Sequence, residues 1–257
     1  MNKTKIFHEL HHRDRPLVLP NAWDFGSAAV LAAEGFPAIG TTSLGVAVAA
    51  GLPDGTGVTE AATMALARLL AGLPVPVTVD IEGGFSETPS AVADYAQQLA
   101  ESGLAGINLE DGRAGSTLAE PDHQAELIGA IKDRAPELFV NARVDTYWVK
   151  DDIERTLARV ERYTAAGADG IFVPGLTDPE GIAQLVAATP LPVNILYSPT
   201  GPSIAELGEL GVRRVSTGSL LYRSALAVAV ETARAVRDGG SLPIVAPPYT
   251  EIQALTD

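Results

Sequence analysis

At 257 residues, 46% of them hydrophobic, the chain is long enough for one large α/β domain with a sizeable core. Its 18 basic and 32 acidic side chains leave a formal charge of −14, which argues against nucleic-acid and anionic-membrane partners, since no basic run offsets the repulsion. The absence of cysteine excludes disulfides, thiolate ligands and cysteine nucleophiles and fits a cytoplasmic location. The amino terminus lacks the apolar core of a secretion signal, and no apolar run approaches the roughly 20 residues that span a bilayer.

Short β-type runs alternate with helical patterns along the whole chain. Strands are predicted at 17–20, 38–42, 75–81, 106–110, 139–144, 170–173, 193–196 and 214–217. Between them fall helices at 25–34, 59–70, 89–102, 121–135, 153–166, 179–188 and 203–210, and a longer one follows at 220–237. Asp24 suits an N-cap, and Pro89 and Pro179 suit the first helical position. Gly35, Gly72, Gly103, Gly167 and Gly211 each follow a helical run, where a left-handed terminating residue is expected. Eight such alternations without a linker predict a single (β/α)8 barrel over residues 1–257, with a C-terminal helical arm from about 220. An open doubly wound sheet would usually carry a glycine-rich loop after its first strand, and none is present here.

In a barrel the chemistry sits where strands end and the following loops begin. Three successive strands end in polar residues. Asp80 and Glu82 are two apart and are expected on one strand face; Asn108 and Glu110 repeat the pattern, as do Asn141, Arg143 and Asp145. Neighbouring buried carboxylates are costly unless a cation or donors neutralise them. Asp80, Glu82 and Glu110 therefore read as hard oxygen ligands for Mg²⁺ or Mn²⁺, or else as salt-bridge partners of Arg143. The histidines (His8, His11, His12, His123) lie off the predicted strands, which disfavours a zinc or iron site. Arg143 is a guanidinium placed to clamp a carboxylate or phosphonate. None of Lys3, Lys5, Lys132 and Lys150 ends a strand, so an imine mechanism is disfavoured.

These residues carry a resemblance. The runs Thr41 to Gly45, Gly51 to Asp54, Asp80 to Gly84, Leu109 to Asp111 and Asn141 to Arg143 resemble, in order, the isocitrate lyase/phosphoenolpyruvate mutase superfamily. The resemblance implies a barrel with Mg²⁺ held by Asp80, Glu82 and Glu110, partly through water. It implies a 2-oxo acid bound through its oxo and carboxylate oxygens, with Thr42, Ser43 and Leu44 contacting it. It places Asp54 near the metal, gives Arg143 the leaving or migrating group, and makes Arg143, Asp54 and Glu110 the catalytic set. It further implies a homo-oligomer, expected as a homotetramer, in which neighbours exchange their last barrel helix. The segment from Leu220 to Val236, apolar round much of its circumference, fits a helix that buries a second face, and the proline-bearing tail from Pro243 to Asp257 suits an extended arm across the neighbour and a short final helix.

Two departures shape the functional expectation. The loop from Asp111 to Glu120 lacks the cysteine and lysine of the family's lyases. Pro174 stands where the phosphonate-processing members carry a histidine. Asn194 is read either as a donor to a substrate carboxylate or as a buried asparagine tying loops together. Gly112 and Gly115 suit a lid, His123 is a candidate proton source, and a plain surface loop is the alternative. The expected activity is Mg²⁺-dependent C–C cleavage of a small 2-oxo acid or a related 2-hydroxy di- or tricarboxylate. Mutase-type P–C chemistry and a non-catalytic 2-oxo acid-binding barrel are the alternatives. The expected partner is a small carboxylate substrate, with no nucleic acid and no membrane.

Overall fold

In the computed structural model, residues 2–242 and 244–256 are described. Eight parallel strands form the sheet: β1 (Leu17–Leu19, resumed at Asn21–Ala22), β2 (Ile39–Thr41), β3 (Val77–Asp80), β4 (Gly106–Glu110), β5 (Phe139–Arg143), β6 (Gly170–Phe172), β7 (Val193–Leu196) and β8 (Arg214–Ser216). Pro20 interrupts β1 because it has no N–H for the ladder. Before it, Leu17 and Leu19 pair with Arg214 and Ser216; after it, Asn21 and Ala22 pair with Gly40 and Thr41. One strand thus bonds both β8 and β2, and the sheet closes into a barrel.

The predicted helices form close to their expected limits. They are α2 (Phe25–Ala33), α4 (Glu60–Leu70), α5 (Pro89–Glu101), α6 (Pro121–Arg134), α8 (Thr156–Ala165), α9 (Pro179–Ala187), α10 (Ile204–Glu209) and α11 (Leu220–Asp238). Asp24 caps α2 in a reciprocal capping box with Ser27, and Pro89 and Pro179 open α5 and α9. Gly35, Gly103, Gly167 and Gly211 have positive φ as expected; Gly72 does not, and α4 ends on a right-handed Ala71 instead.

Three further helices have no predicted counterpart. These are α1 (Lys3–Leu10), α3 (Ser43–Ala49) and α7 (Thr146–Val149). The first seals the bottom of the barrel, where Phe7 and Leu10 join Leu17, Leu19, Ala38, Ala105 and Phe139 in a cluster separate from the main core. No helix among the described residues is long and apolar enough to cross a membrane.

α11 stands largely off the barrel. Only Tyr222 is buried, its ring 5.2 Å from that of Trp23, while Leu226, Val230 and Val236 are exposed. The tail ends in a short helix, α12 (Tyr249–Gln253), and a turn whose Leu255 packs against the chain's own core beside α2. At that point the arm lies against its own barrel. Pro243 and Asp257, the ends of the expected arm, lie outside the described residues.

Candidate active site

Asp80, Glu110 and Arg143 come together at the C-terminal ends of β3, β4 and β5. The register pairs Glu110 with Arg143 and Asp80 with Asn108, so the two acids sit at successive levels on adjacent strands. Arg143 Nη1 lies 2.7 Å from Glu110 Oε2 and 3.9 Å from Asp80 Oδ2, and Nε donates to Asp145 Oδ1 at 2.6 Å. Trp148 and Phe172 place their rings 5.8 Å from the guanidinium carbon, a weakly hydrated cation being well suited to aromatic faces. Asp80 is fixed from both sides: its N–H donates to Thr41 Oγ1 at 2.9 Å, and its Oδ1 accepts from the Glu82 N–H at 3.0 Å.

Burial dominates the electrostatics. It pushes Asp80 up to about 6, against the opposing pull of Arg143, and Glu110 well above the usual carboxylate range. Burial also works against the Arg143 cation, yet Glu110, Asp145 and Asp80 together overcome it and raise its pKa. Three acids share one guanidinium, so the pocket is short of positive charge.

These groups line a cavity of about 420 Å³. Thr42, Ser43, Leu44 and Asp54 line it, contributed by the start of α3 and the loop after it. Two expectations are corrected. Glu82 does not share a strand face with Asp80: β3 ends at Asp80, and Glu82 sits in the turn beyond with φ 50°. Its carboxylate accepts from the Gly57 N–H at 2.9 Å and from the Thr59 hydroxyl, tethering the loop after α3 in an adjoining smaller cavity that also borders Glu110. Asn194 does not reach the pocket. It lies one level below Leu196 on β7, is 1% exposed, and its Oδ1 accepts from Ser216 Oγ.

The loop after β4 forms a small antiparallel hairpin, Gly112–Arg113 with Thr117–Leu118, and residues 112–116 line the cavity. Arg113 and His123 both bind Glu87, at 3.1 and 3.0 Å, which takes His123 away from the cavity as a proton source. Asp111, fully buried, anchors the hairpin's base by accepting from the Asp145 N–H, Tyr163 and Arg159. The sequence reading missed Trp148, Phe172, Asn21 and Ser216 as cavity residues. Strand alternation was a signal for Ser216; Trp148 comes from α7, which no periodicity marked.

The donor chemistry fits a hard divalent cation. Asp80 and Glu110 are under-neutralised carboxylate oxygens in one cavity. Among the described residues no three acid, histidine or cysteine side chains converge into a ready-made cage. A site with few protein ligands and room for water is what Mg²⁺ tolerates best.

The sequence pattern of the phosphoenolpyruvate phosphomutase family matches residues 7–237. An uncharacterised protein of Mycobacterium tuberculosis (strain H37Rv) is 54% identical over 250 residues, 96% of this chain and 95% of that one. A 2-methylisocitrate lyase of Bacillus subtilis is 32% identical over 210 residues, 75% and 69% of the two chains. An oxaloacetate decarboxylase of a Bradyrhizobium strain is 30% identical over 230 residues, 85% and 73% of the two. A phosphonopyruvate hydrolase solved with oxalate and Mg²⁺ has the same fold, with a TM-score of 0.86 at 22% identity over 100% of this chain and 95% of that one. The family match over nearly the whole barrel, with acids and arginine on adjacent strand ends, makes this chain a member of the phosphoenolpyruvate phosphomutase family, within the isocitrate lyase/phosphoenolpyruvate mutase superfamily.

Proposed function

We propose that this protein is a Mg²⁺-dependent enzyme that cleaves a C–C bond in a small 2-oxo acid or a related 2-hydroxy di- or tricarboxylate. The observation that carries this reading is the convergence of buried Asp80 and Glu110 on Arg143 in one cavity, with more negative than positive charge. Asp80 and Glu110 would hold the cation, with Glu82 behind them and waters completing the set. Bound there, the cation supplies positive charge where the enolate and carboxylate oxygens of a pyruvate-like product develop theirs.

The chain's own residues do the rest. Arg143 is fixed through Nη1 and Nε, and Nη2 makes no hydrogen bond within the described protein, leaving donors for a substrate carboxylate. Thr42, Ser43 and Leu44 orient the substrate from the opposite wall, and Asp54 extends the acidic rim. Residues 112–116 of the hairpin line the cavity, where they would screen it from water while bringing no cysteine, lysine or histidine into it. Decarboxylation of a 2-oxo dicarboxylate needs no base to start bond cleavage, so it asks least of the missing lyase groups. The assembly belongs to the same proposal: the exposed apolar residues of α11 are covered by other copies of the chain, in a homotetramer.

Turnover of oxaloacetate, alkylmalates, 2-methylisocitrate and phosphonopyruvate, each with Mg²⁺ or with chelator, tests the proposal. Mg²⁺-dependent release of a 2-oxo acid from a carboxylate substrate is expected. Turnover of phosphonopyruvate alone would reassign the protein to P–C chemistry. Oxalate binding without any turnover would make it a binding protein.

A further inference from the structure

The inside of the barrel holds a buried arginine, Arg214, whose situation differs from those of Arg143 and Arg159. Arg143 meets three acids, and Arg159 bonds Asp111 and Asp152. Arg214, at the start of β8, is 0% exposed and bonds only neutral groups: Nε donates to Ser216 Oγ at 3.0 Å and Nη2 to Asn108 Oδ1 at 3.2 Å. Among the described residues its Nη1 has no partner, nor do Asn194 Nδ2 beside it on β7 and Thr78 Oγ1 on β3. A guanidinium buried without a counter-ion is costly to keep. Burial depresses its pKa to about 9, and Asp80 is the acid whose field opposes that. The group therefore stays charged at neutral pH.

Topology says where that charge lies. β8 and β4 are four strands apart in a closed ring of eight, so the bond from Arg214 to Asn108 crosses the barrel's interior. Asn108 and Ser216 both line the cavity, and Arg214 does not. Asn108 also accepts from Asn141 Nδ2 at 2.9 Å and is the register partner of Asp80. Arg214 is a strut beneath the floor, gripping two floor residues from opposite walls.

Resting on the reading of the site given above, we propose that Arg214 is a positioning residue: from beneath the cavity it fixes Asn108 and Ser216 and sets the charge balance between the bound cation and the anionic substrate. A positive charge under the floor opposes a cation and attracts an anion. Removing it must move the two affinities in opposite directions, whereas loss of a purely structural residue would weaken both.

The test is calorimetric titration of Mg²⁺, and then of oxalate at saturating Mg²⁺, into wild type, Arg214→Lys, Arg214→Gln and Arg214→Met. For the Gln and Met variants, Mg²⁺ is expected to bind about tenfold tighter and oxalate about tenfold weaker, the scale of one charge at this remove in a partly polar interior. Arg214→Lys should stay near wild type for both ions. Should Arg214→Met fail to fold, Arg214→Gln decides, because it removes the charge and keeps a polar side chain that can donate to Ser216. Unchanged affinities, or weakening of both, would overturn the proposal while leaving the site reading intact. Wild-type protein that binds neither ion would overturn the site reading and this role with it.

Discussion

Arg143 is engaged on two edges and stacked near two rings, and that geometry belongs to a planar fork. In Arg143→Lys a point charge replaces it, so the contacts to Glu110 and Asp145 cannot both be kept. The expected loss in kcat/KM is about 2–4 kcal/mol, the scale of removing one preorganised donor, and steady-state kinetics on the best substrate would show it. Asp80→Asn probes the opposite sign. The carboxylate is raised to about 6 by burial, so its charged form weighs against the fold at neutral pH. Metal-dependent turnover should disappear while the melting temperature holds or rises by about 2–4 °C. Unchanged Mg²⁺ affinity in that variant would remove Asp80 from the metal set. Asp80, Glu110 and Arg143 were legible in the sequence because each ends an apolar run. Glu82 was misplaced because alternation was carried two residues past the end of β3, into a turn whose left-handed backbone redirects the side chain.

At the level of elements, the hairpin after β4 is locked to β5 by a close approach. A Cβ on Gly112 would collide with Asp145 Oδ2 and lie 3.2 Å from its Cγ. Gly112→Ala must therefore push Asp145 away from Arg143 or lift the hairpin. We expect kcat/KM to fall about tenfold with a stability cost of about 1–3 kcal/mol, the usual range for overpacking; kinetics together with denaturant unfolding separate the two effects. Most strands and long helices were readable because caps, prolines and glycines punctuate apolar runs. The helices α1, α3 and α7 were not, being short segments stabilised by what they cover rather than by their own pattern. The link from Arg113 and His123 to Glu87 was equally invisible, since 26 and 36 residues separate the partners.

For the whole molecule, the buried His11 under the barrel sets a pH limit. Burial, aided by the Arg214 charge, lowers its pKa to about 3, and Nδ1 pairs with the Phe7 carbonyl at 2.7 Å. The folded state refuses a proton that the unfolded chain accepts below about pH 6.5. This contribution is thus complete above pH 6.5 and declines as pH falls toward 3, at about 1.4 kcal/mol per unit. His11→Phe keeps a ring against Phe139 and should flatten that part of the stability profile between pH 7.5 and 5.5, as measured by urea unfolding. The proposed assembly is tested by light scattering at micromolar concentration: a mass near four times 26.7 kDa is expected, and a clean monomer would discard it.

The sequence alone determined the barrel, the order of its elements and which strand ends carry chemistry, because periodicity, capping and strand termination are local properties that each short segment displays by itself. Tertiary structure decided the rest. Whether Asn194 reaches the cavity and what Arg214 grips across the interior depend on closing the sheet into a ring. Closure brings β4 and β8 to opposite walls of one space, and no local pattern encodes which side chains meet there.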